Sequence, residues 1–445
     1  MGWAKRGEVV RMIRSRPGPL VFCRACIGIG GLFILTFLVG FEPAWARTWN
    51  VFVDGSGDAT TIQAAIDSAA SLDTVLAAPG IYLEALVFRG KDLVLRSVSG
   101  PETTFIDATG LGGRVVTFHS GETRSAVLQG FTITGGEGGI LIFEAEPSLI
   151  GNIITENQTS GDGGGIWCSG DVQVPPVWHP LIKDNQITNN SAGNLGGGVG
   201  FFKDMIPEIT ENYIAGNKTQ RGDGGGIYYR NLAQGKTLIW SNVVENNTAG
   251  DHGGGIYVGH YGDTSFLEIE IALNLIRNNY ARGSAPLTAN SGGGIWLWET
   301  NAWVHHNTIV ENTGDGPSDN YGGGIVIERP GSPIVEQNII ALTQKGGAIW
   351  CGSLATPTIR NNLAWQNVGG EGVGTCATWW QADGNIVQDP HFCDAPGSIY
   401  SLAQNSPAIT HPAGPLGAFS IPGCDPVAAR PSTWGAIKAR YSPRQ

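Results

Sequence analysis

One short pattern recurs down most of this chain and restricts its fold more than any bulk property does. An Asn is preceded three residues earlier by an aliphatic side chain and followed two residues later by Ile, Val or Ala. It stands at Asn152, Asn185, Asn212, Asn242, Asn274, Asn307, Asn338 and Asn362. After seven of the eight, a second Asn follows five residues on. A variable gap then leads to a glycine triplet and Ile or Val, as in "GGGIW" at 163–167. The first Asn recurs at spacings of 33, 27, 30, 32, 33, 31 and 24 residues. Short apolar segments repeating at such a period predict a solenoid. Those segments are too short for helices and rich in Ile and Val, so each repeat reads as one coil of a parallel β-helix. The predicted fold is all-β: a right-handed parallel β-helix of about ten coils with an N-terminal helical cap.

The residue types follow from that geometry. Asn is expected at a sharp corner, where it tolerates left-handed backbone and can satisfy backbone groups with its amide. Stacked from coil to coil, the eight Asn predict a hydrogen-bonded ladder. Glycines serve the other corner, where positive φ or close backbone contact excludes a Cβ. The aliphatics flanking Asn and the Ile or Val after the triplet should fill the core. Two residues beyond that Ile or Val the chain should again point inward, which makes Cys168 and Cys351 buried core thiols. The residue directly after it should alternate outward. It reads Trp167, Gly200, Tyr228, Tyr257, Trp296, Val326 and Trp350. An exposed aromatic strip is the expectation, and flat rings suit the apolar faces of sugars.

The ends differ from the repeats. Residues 1–46 carry six basic side chains and then the apolar run "IGIGGLFILTFLVG", with "AWA" before Arg47. This reads as a cleaved export signal, too short in its apolar part for a membrane span. "TTIQAAIDSAAS" carries a helical stripe, with Thr60 and Gln63 as a capping box, so residues 47–80 form the cap. Repeats fill 81–385. The tail, 386–445, loses the pattern and is expected to cover the far end, closed by a Cys393–Cys424 bridge.

Removing six basic and two acidic leader residues leaves 21 Lys and Arg against 36 Asp and Glu, a net charge of −15. That disfavours nucleic acid and anionic membranes as partners. It also disfavours polyanionic glycans unless a cation such as Ca²⁺ bridges. Asp162, Asp223 and Asp251, with His252, could line one edge as an acidic column. Asp before Gly is ordinary turn chemistry and no ligand spacing demands a metal, so no metal or cofactor is predicted, with Ca²⁺ on that column as the alternative. Five cysteines remain beyond the leader, and an odd count leaves at least one unpaired within the chain.

With these residues in view, "TIQAAIDSAASLDTVLAAPGIYLEAL", "GFTITGG" and the repeated N-x-I-x-x-N and GGGI resemble exported bacterial β-helix proteins of the pectin-lyase-like kind. The GGGI repeats are also similar to those of polymorphic outer membrane proteins. The resemblance covers most of 48–390 and implies fold more than activity. The paired Asp and Gly-His-Gly motifs of polygalacturonases are absent, as are "WIDH" of pectate lyases and "DPHD" of uronan epimerases. "QDPHFCD" at 388–394 is the nearest text to the last. Nothing after 390 could build the membrane barrel of the outer membrane proteins.

Long segments at 280–291, 313–321 and 259–265 could wall a groove beside Trp296, Trp298 and Glu299. Asp315, Asp319, His260, Tyr261 and Asp263 could approach it. Glu299 and Asp319 are the candidate catalytic carboxylates, while His305 and His306 read as loop or turn residues. The leading expectation is a protein, secreted or at the cell surface (periplasm or outer membrane included), that binds polysaccharide through Trp167, Tyr228, Tyr257, Trp296, Trp298 and Trp350. The alternatives are a polysaccharide lyase or glycoside hydrolase, and a structural surface protein or adhesin.

Overall fold

In the computed structural model, the described residues run from 46 to 424, apart from 171–176, 232–234, 261–266, 284–290, 316–321, 379, 381 and 420. Nearly all of the leader, together with Tyr261, Asp263 and Asp319, lies outside them.

Each regular coil visits up to four parallel sheets, numbered here in the order the chain meets them. Sheet 1 holds the segment ahead of the first Asn, in 12 strands from Thr48–Val51 to Thr358–Arg360. Sheet 2 lies between the two Asn positions, in 12 strands from Gly80–Leu83 to Ile386–Val387. Sheet 3 follows the second Asn with five short strands, Ser191–Ala192 to Thr313–Gly314. Sheet 4 begins after the triplet corner, in 11 strands from Leu86–Val87 to Gly372–Gly374. The chain is therefore an all-β, right-handed parallel β-helix. Its strand count somewhat exceeds the ten coils expected, because residues 48–132 contribute coils without the Asn and Gly signature.

The ladder forms along all eight expected residues. Asn152 Oδ1 accepts from the Phe131 N–H, and from Asn185 onward each Asn Oδ1 accepts from the backbone N–H and the side-chain amide of the Asn one coil earlier, as Asn274 does from Asn242 at 2.9 and 3.0 Å. It continues past Asn362 to Asn385. A second ladder links Asn157, Asn190, Asn217, Asn247, Asn279 and Asn312. Thr343 takes the place of the missing second Asn, and its N–H bonds Asn367. The left-handed corner, however, is not the ladder Asn but the residue before it: Asp184, Glu211, Ser241, Leu273, His306, Gln337 and Asn361 all have φ between 52° and 59°. That residue turns the chain. The Asn after it then collects the polar groups the turn strands, Asn274 Nδ2 donating also to Ile239 O at 2.8 Å. Ladder Asn are buried, so their pairing is obligatory.

The triplet glycines divide their roles. Gly163, Gly196, Gly224 and Gly253 have φ of 62–65°. A Cβ on Gly164 or Gly165 would meet the carbonyl oxygen of Gly197 or Gly198 at 2.5 Å. One glycine turns the corner, and the next two allow coils to touch. The inward positions are buried as expected, Cys168 and Cys351 included. Cys351 is not a free thiol, however. It is bridged to Cys376, which curls back over the last coil, and this leaves Cys168 as the free cysteine among the described residues.

The helix Ile62–Ser68 buries Ile62, Ala65 and Ile66 against the core. Its N-cap is Thr61 rather than Thr60, accepting from Ala64 N–H. Glu84 takes the Ile62 and Gln63 N–H groups, so Gln63 is free to bond Val87 instead of closing a capping box. The Cys393–Cys424 bridge forms as expected. The tail does not simply cover the far end. After Ile386–Val387 extends sheet 2, it packs Tyr400, Leu402, Leu416 and Phe419 on the outer face of that sheet, against Val243, Leu275, Val310, Ile339 and Leu363. These outward apolar side chains in successive coils require a cover, and the tail supplies it.

Candidate functional site

The expected aromatic column forms, but it is not an exposed strip. Trp167, Gly200, Tyr228, Tyr257, Trp296, Val326 and Trp350 stand in register along sheet 4. Tyr228, Tyr257 and Trp296 are only 1, 3 and 0 % exposed, which corrects the reading of them as a sugar-facing surface. Trp167, Trp298 and Trp350 are half-buried at the margins of the same cluster. The physical reason lies in the triplet corner, which folds back over the residue that follows it. A Cβ on Gly163 would meet Trp167 Cβ at 2.4 Å, and the imidazole of His252 lies 4.1 Å from the Trp296 ring. Tyr228 and Tyr257 stack on each other at 5.1 Å. Gly200 breaks the aromatic series because the Trp167 ring occupies its side-chain space. The column is a second, smaller core outside the coil.

His252 links this cluster to the acidic edge. Its Nδ1 lies 2.9 Å from Asp223 Oδ1, and its Nε2 lies 3.4 Å from Asp251 Oδ1. Burial pulls the imidazole pKa down, but the hydrogen bond and charge of Asp223, with Asp251 behind, outweigh it and raise it above the ordinary histidine value. These three residues are the one group among the described residues with ligand atoms close enough to share a metal ion. The geometry suits a proton better. Each ring nitrogen faces its own carboxylate, so an imidazolium satisfies both, whereas a single ion could take only one of the nitrogens.

The exposed tryptophans among the described residues are Trp240 and Trp303, at 44 and 40 %. Both stand on the outer face of sheet 1, two coils apart, with Glu270 on the strand between. Glu270 and Trp303 occupy one outward column, while Trp240, Ala272, His305, Glu336 and Arg360 form the next. Lys236 Nζ holds Glu270 Oε2 at 2.7 Å, and Glu270 Oε1 lies 3.1 Å from His305 Nε2. His305 Nδ1 lies 2.8 Å from His306 Nδ1. Trp303 stacks on His305 at 3.8 Å and donates Nε1–H to Glu336, which also accepts from Arg360. Burial raises the Glu270 pKa, yet the bonds from Lys236 and His305 hold it below the usual carboxylate value. Burial depresses both histidines; Glu270 only partly restores His305, and His305 pushes His306 down further.

The remaining candidates among the described residues are each engaged elsewhere or placed at a corner. Glu299 is a left-handed corner residue at φ 49°, directly after Trp298, whose ring lies under Arg329 at 4.8 Å. Asp315 is tied to Lys345 and Tyr280. His260 is buried and bonds the Asn231 carbonyl. The sheet 1 face is hidden in the sequence because the repeat signal in "IW" at 239–240 and "WV" at 303–304 is carried by the inward aliphatic. The outward neighbour in each pair carried the signal.

A family model described as a right-handed beta helix region matches residues 99–312 and, overlapping, 240–393, more than half of the chain. No curated protein and no solved structure matches it.

Proposed function

The chain belongs to the right-handed β-helix family, and on that scaffold we propose an exported protein that binds extracellular or cell-surface polysaccharide on the outer face of sheet 1. The observation that carries the reading is the pair Trp240 and Trp303, exposed on one flat face around Glu270. Two coils at ~4.8 Å each set them roughly 10 Å apart along the axis, a span suited to a short stretch of sugar chain. Indole faces meet the C–H faces of sugars, and the polar groups between them meet hydroxyls. The charges on this face interleave: Lys236 with Glu270, and Arg360 with Glu336. That suits a neutral glycan better than a polyanion. Export is supported by the leader composition and by two disulfides, which persist in oxidising compartments.

A glycan panel, screened with and without Ca²⁺, tests the reading. The expected result is binding of at least one neutral polysaccharide that falls about tenfold or more in the Trp240→Ala/Trp303→Ala double variant. Absence of binding across a broad panel, or a double variant that binds as the parent does, would leave a structural surface role in its place.

A further inference from the structure

The outer face of sheet 2 is covered at one end only. The tail lies over its C-terminal coils, whereas six of the fourteen exposed large apolar side chains among the described residues fall within 52–98, at the other end. Five of them, Phe52, Val53, Ile81, Leu83 and Val98, gather where sheet 1 turns into sheet 2 in the first three coils. Ala78 N–H bonds the Val51 carbonyl and Val98 N–H bonds the Ala77 carbonyl, each at 2.9 Å, so these corners stack coil on coil. Val53 packs against Gly80, and Ile81 and Leu83 stand outward on Gly80–Leu83, 57 and 67 % exposed. Ile81 pairs with the partly exposed Phe105. The rim is acidic. Asp54 follows Val53, Glu102 adjoins Thr103, whose carbonyl takes the Gly80 N–H, and Asp107 pairs with Leu83. Segments 48–59, 77–87 and 98–107 hold five Asp and Glu and neither Lys nor Arg. Arg47 and Arg96 flank them on the sheet 1 side, and Arg47 is paired with Asp58.

We propose that residues 425–445 of this same chain cover that patch, as a strap laid along sheet 2. These 21 residues lie outside the described ones, and their composition matches the patch: Arg430, Lys438, Arg440 and Arg444 against one acidic residue, Asp425, with Trp434, Ile437 and Tyr441 among them. The cations meet the acidic rim, and the apolar side chains meet Phe52, Val53, Ile81 and Leu83. Place and reach agree with this. Gly417 N–H bonds the Gln337 carbonyl and Ala418 N–H bonds Thr308 Oγ1, so the tail steps one coil toward the N-terminal end as it finishes. The Cys393–Cys424 bridge then fixes the start of the segment on the hairpin formed by Phe392–Asp394 and Ile399–Leu402, whose Ser398 carbonyl is held by Arg277. From the Arg277 strand to Gly80–Leu83 is seven strands along sheet 2, about 34 Å at ~4.8 Å each. An extended chain of this length spans up to ~70 Å, with Trp434 and Tyr441 reaching ~33 and ~56 Å from Cys424. The strap leaves sheet 1 open, so the inference does not rest on the glycan reading.

Carbodiimide coupling of the full chain tests this, because Lys438 is the one lysine of the segment. Expected are links from Lys438 to Asp54, Glu102 or Asp107 within one molecule, with no mixed peptides from a blend of ¹⁴N- and ¹⁵N-labelled protein. Hydroxyl-radical footprinting reads the patch itself: Trp434→Ala/Tyr441→Ala should raise oxidation of Phe52 and Leu83 about threefold or more while Trp240 stays as in the parent. A second variant, Ile81→Ser/Leu83→Ser, should remove the Lys438 links without unfolding the chain, since both side chains are exposed. Equal oxidation of Phe52 and Leu83 in parent and Trp434→Ala/Tyr441→Ala, with no Lys438 link to the rim, overturns the strap. Links found only between molecules overturn it in favour of a second copy, and rim links from Lys5 of the unprocessed chain overturn it in favour of the leader.

Discussion

At the scale of the residue, the ladder asparagine is the most exacting choice in the chain. Asn274 accepts from Asn242 twice and gives its own amide to the Ile239 carbonyl. Asn274→Ala removes all three bonds; the Asn242 amide keeps the Ile209 and Trp240 carbonyls, but the Asn242 N–H and the Ile239 carbonyl lose these partners in a buried corner, each at about 1–3 kcal/mol when left unpaired. Denaturant unfolding should record a loss of at least ~2 kcal/mol; a loss near zero would mean that water enters the corner. His252 makes a prediction of the opposite kind, in pH. Its folded pKa is raised, so the stability it contributes is present below the unfolded value of about 6.5 and is lost as pH rises through the folded pKa. The stability difference between the parent and His252→Gln should therefore be largest in mild acid and shrink above neutrality. A difference that grows with pH would contradict an imidazolium held between Asp223 and Asp251. His305 and His306, both depressed, act with the reverse sign, which is why the comparison is made by difference.

At the scale of the element, one strand face was legible in the sequence and the other was misread. Alternation correctly assigned inward Ile166, Cys168, Ile295 and Leu297 to the core. The same alternation put Trp296 outward, and it does leave the coil. Pointing out of a coil is nevertheless different from facing water when the preceding corner folds over the strand. Nothing in a period of two reports on a cover supplied by the residues before the triplet. Trp296→Ala should thus cost about 3–5 kcal/mol in unfolding free energy, as a buried aromatic does. Thermal or denaturant unfolding checks this, and a loss below ~1 kcal/mol would return Trp296 to the surface. The tail is a second case of the same limit. Its lack of pattern marked it as no coil, but only the outward apolar side chains of sheet 2, Val243, Leu275, Ile339 and Leu363 in one column and Val310 in the next, show where it docks.

At the scale of the molecule, period and residue type gave the fold, because a solenoid repeats one local solution and its signals accumulate from coil to coil. A site does not repeat. Trp240, Glu270, Trp303 and His305 come from three successive coils, and Trp240, Trp303 and His305 each occupy a position where the other coils carry something else. Averaging over repeats finds the scaffold and hides the exceptions, and the exceptions are where this face differs. The central claim is that this molecule meets polysaccharide on the outer face of sheet 1 and not along the aromatic column of sheet 4. Hydroxyl-radical footprinting with and without a bound glycan tests it most directly. Trp240 and Trp303 should be oxidised in the free protein and protected by the glycan, with Trp296 unreactive in both states. Protection at Trp167, Trp298 and Trp350 while Trp240 and Trp303 stay reactive would contradict it.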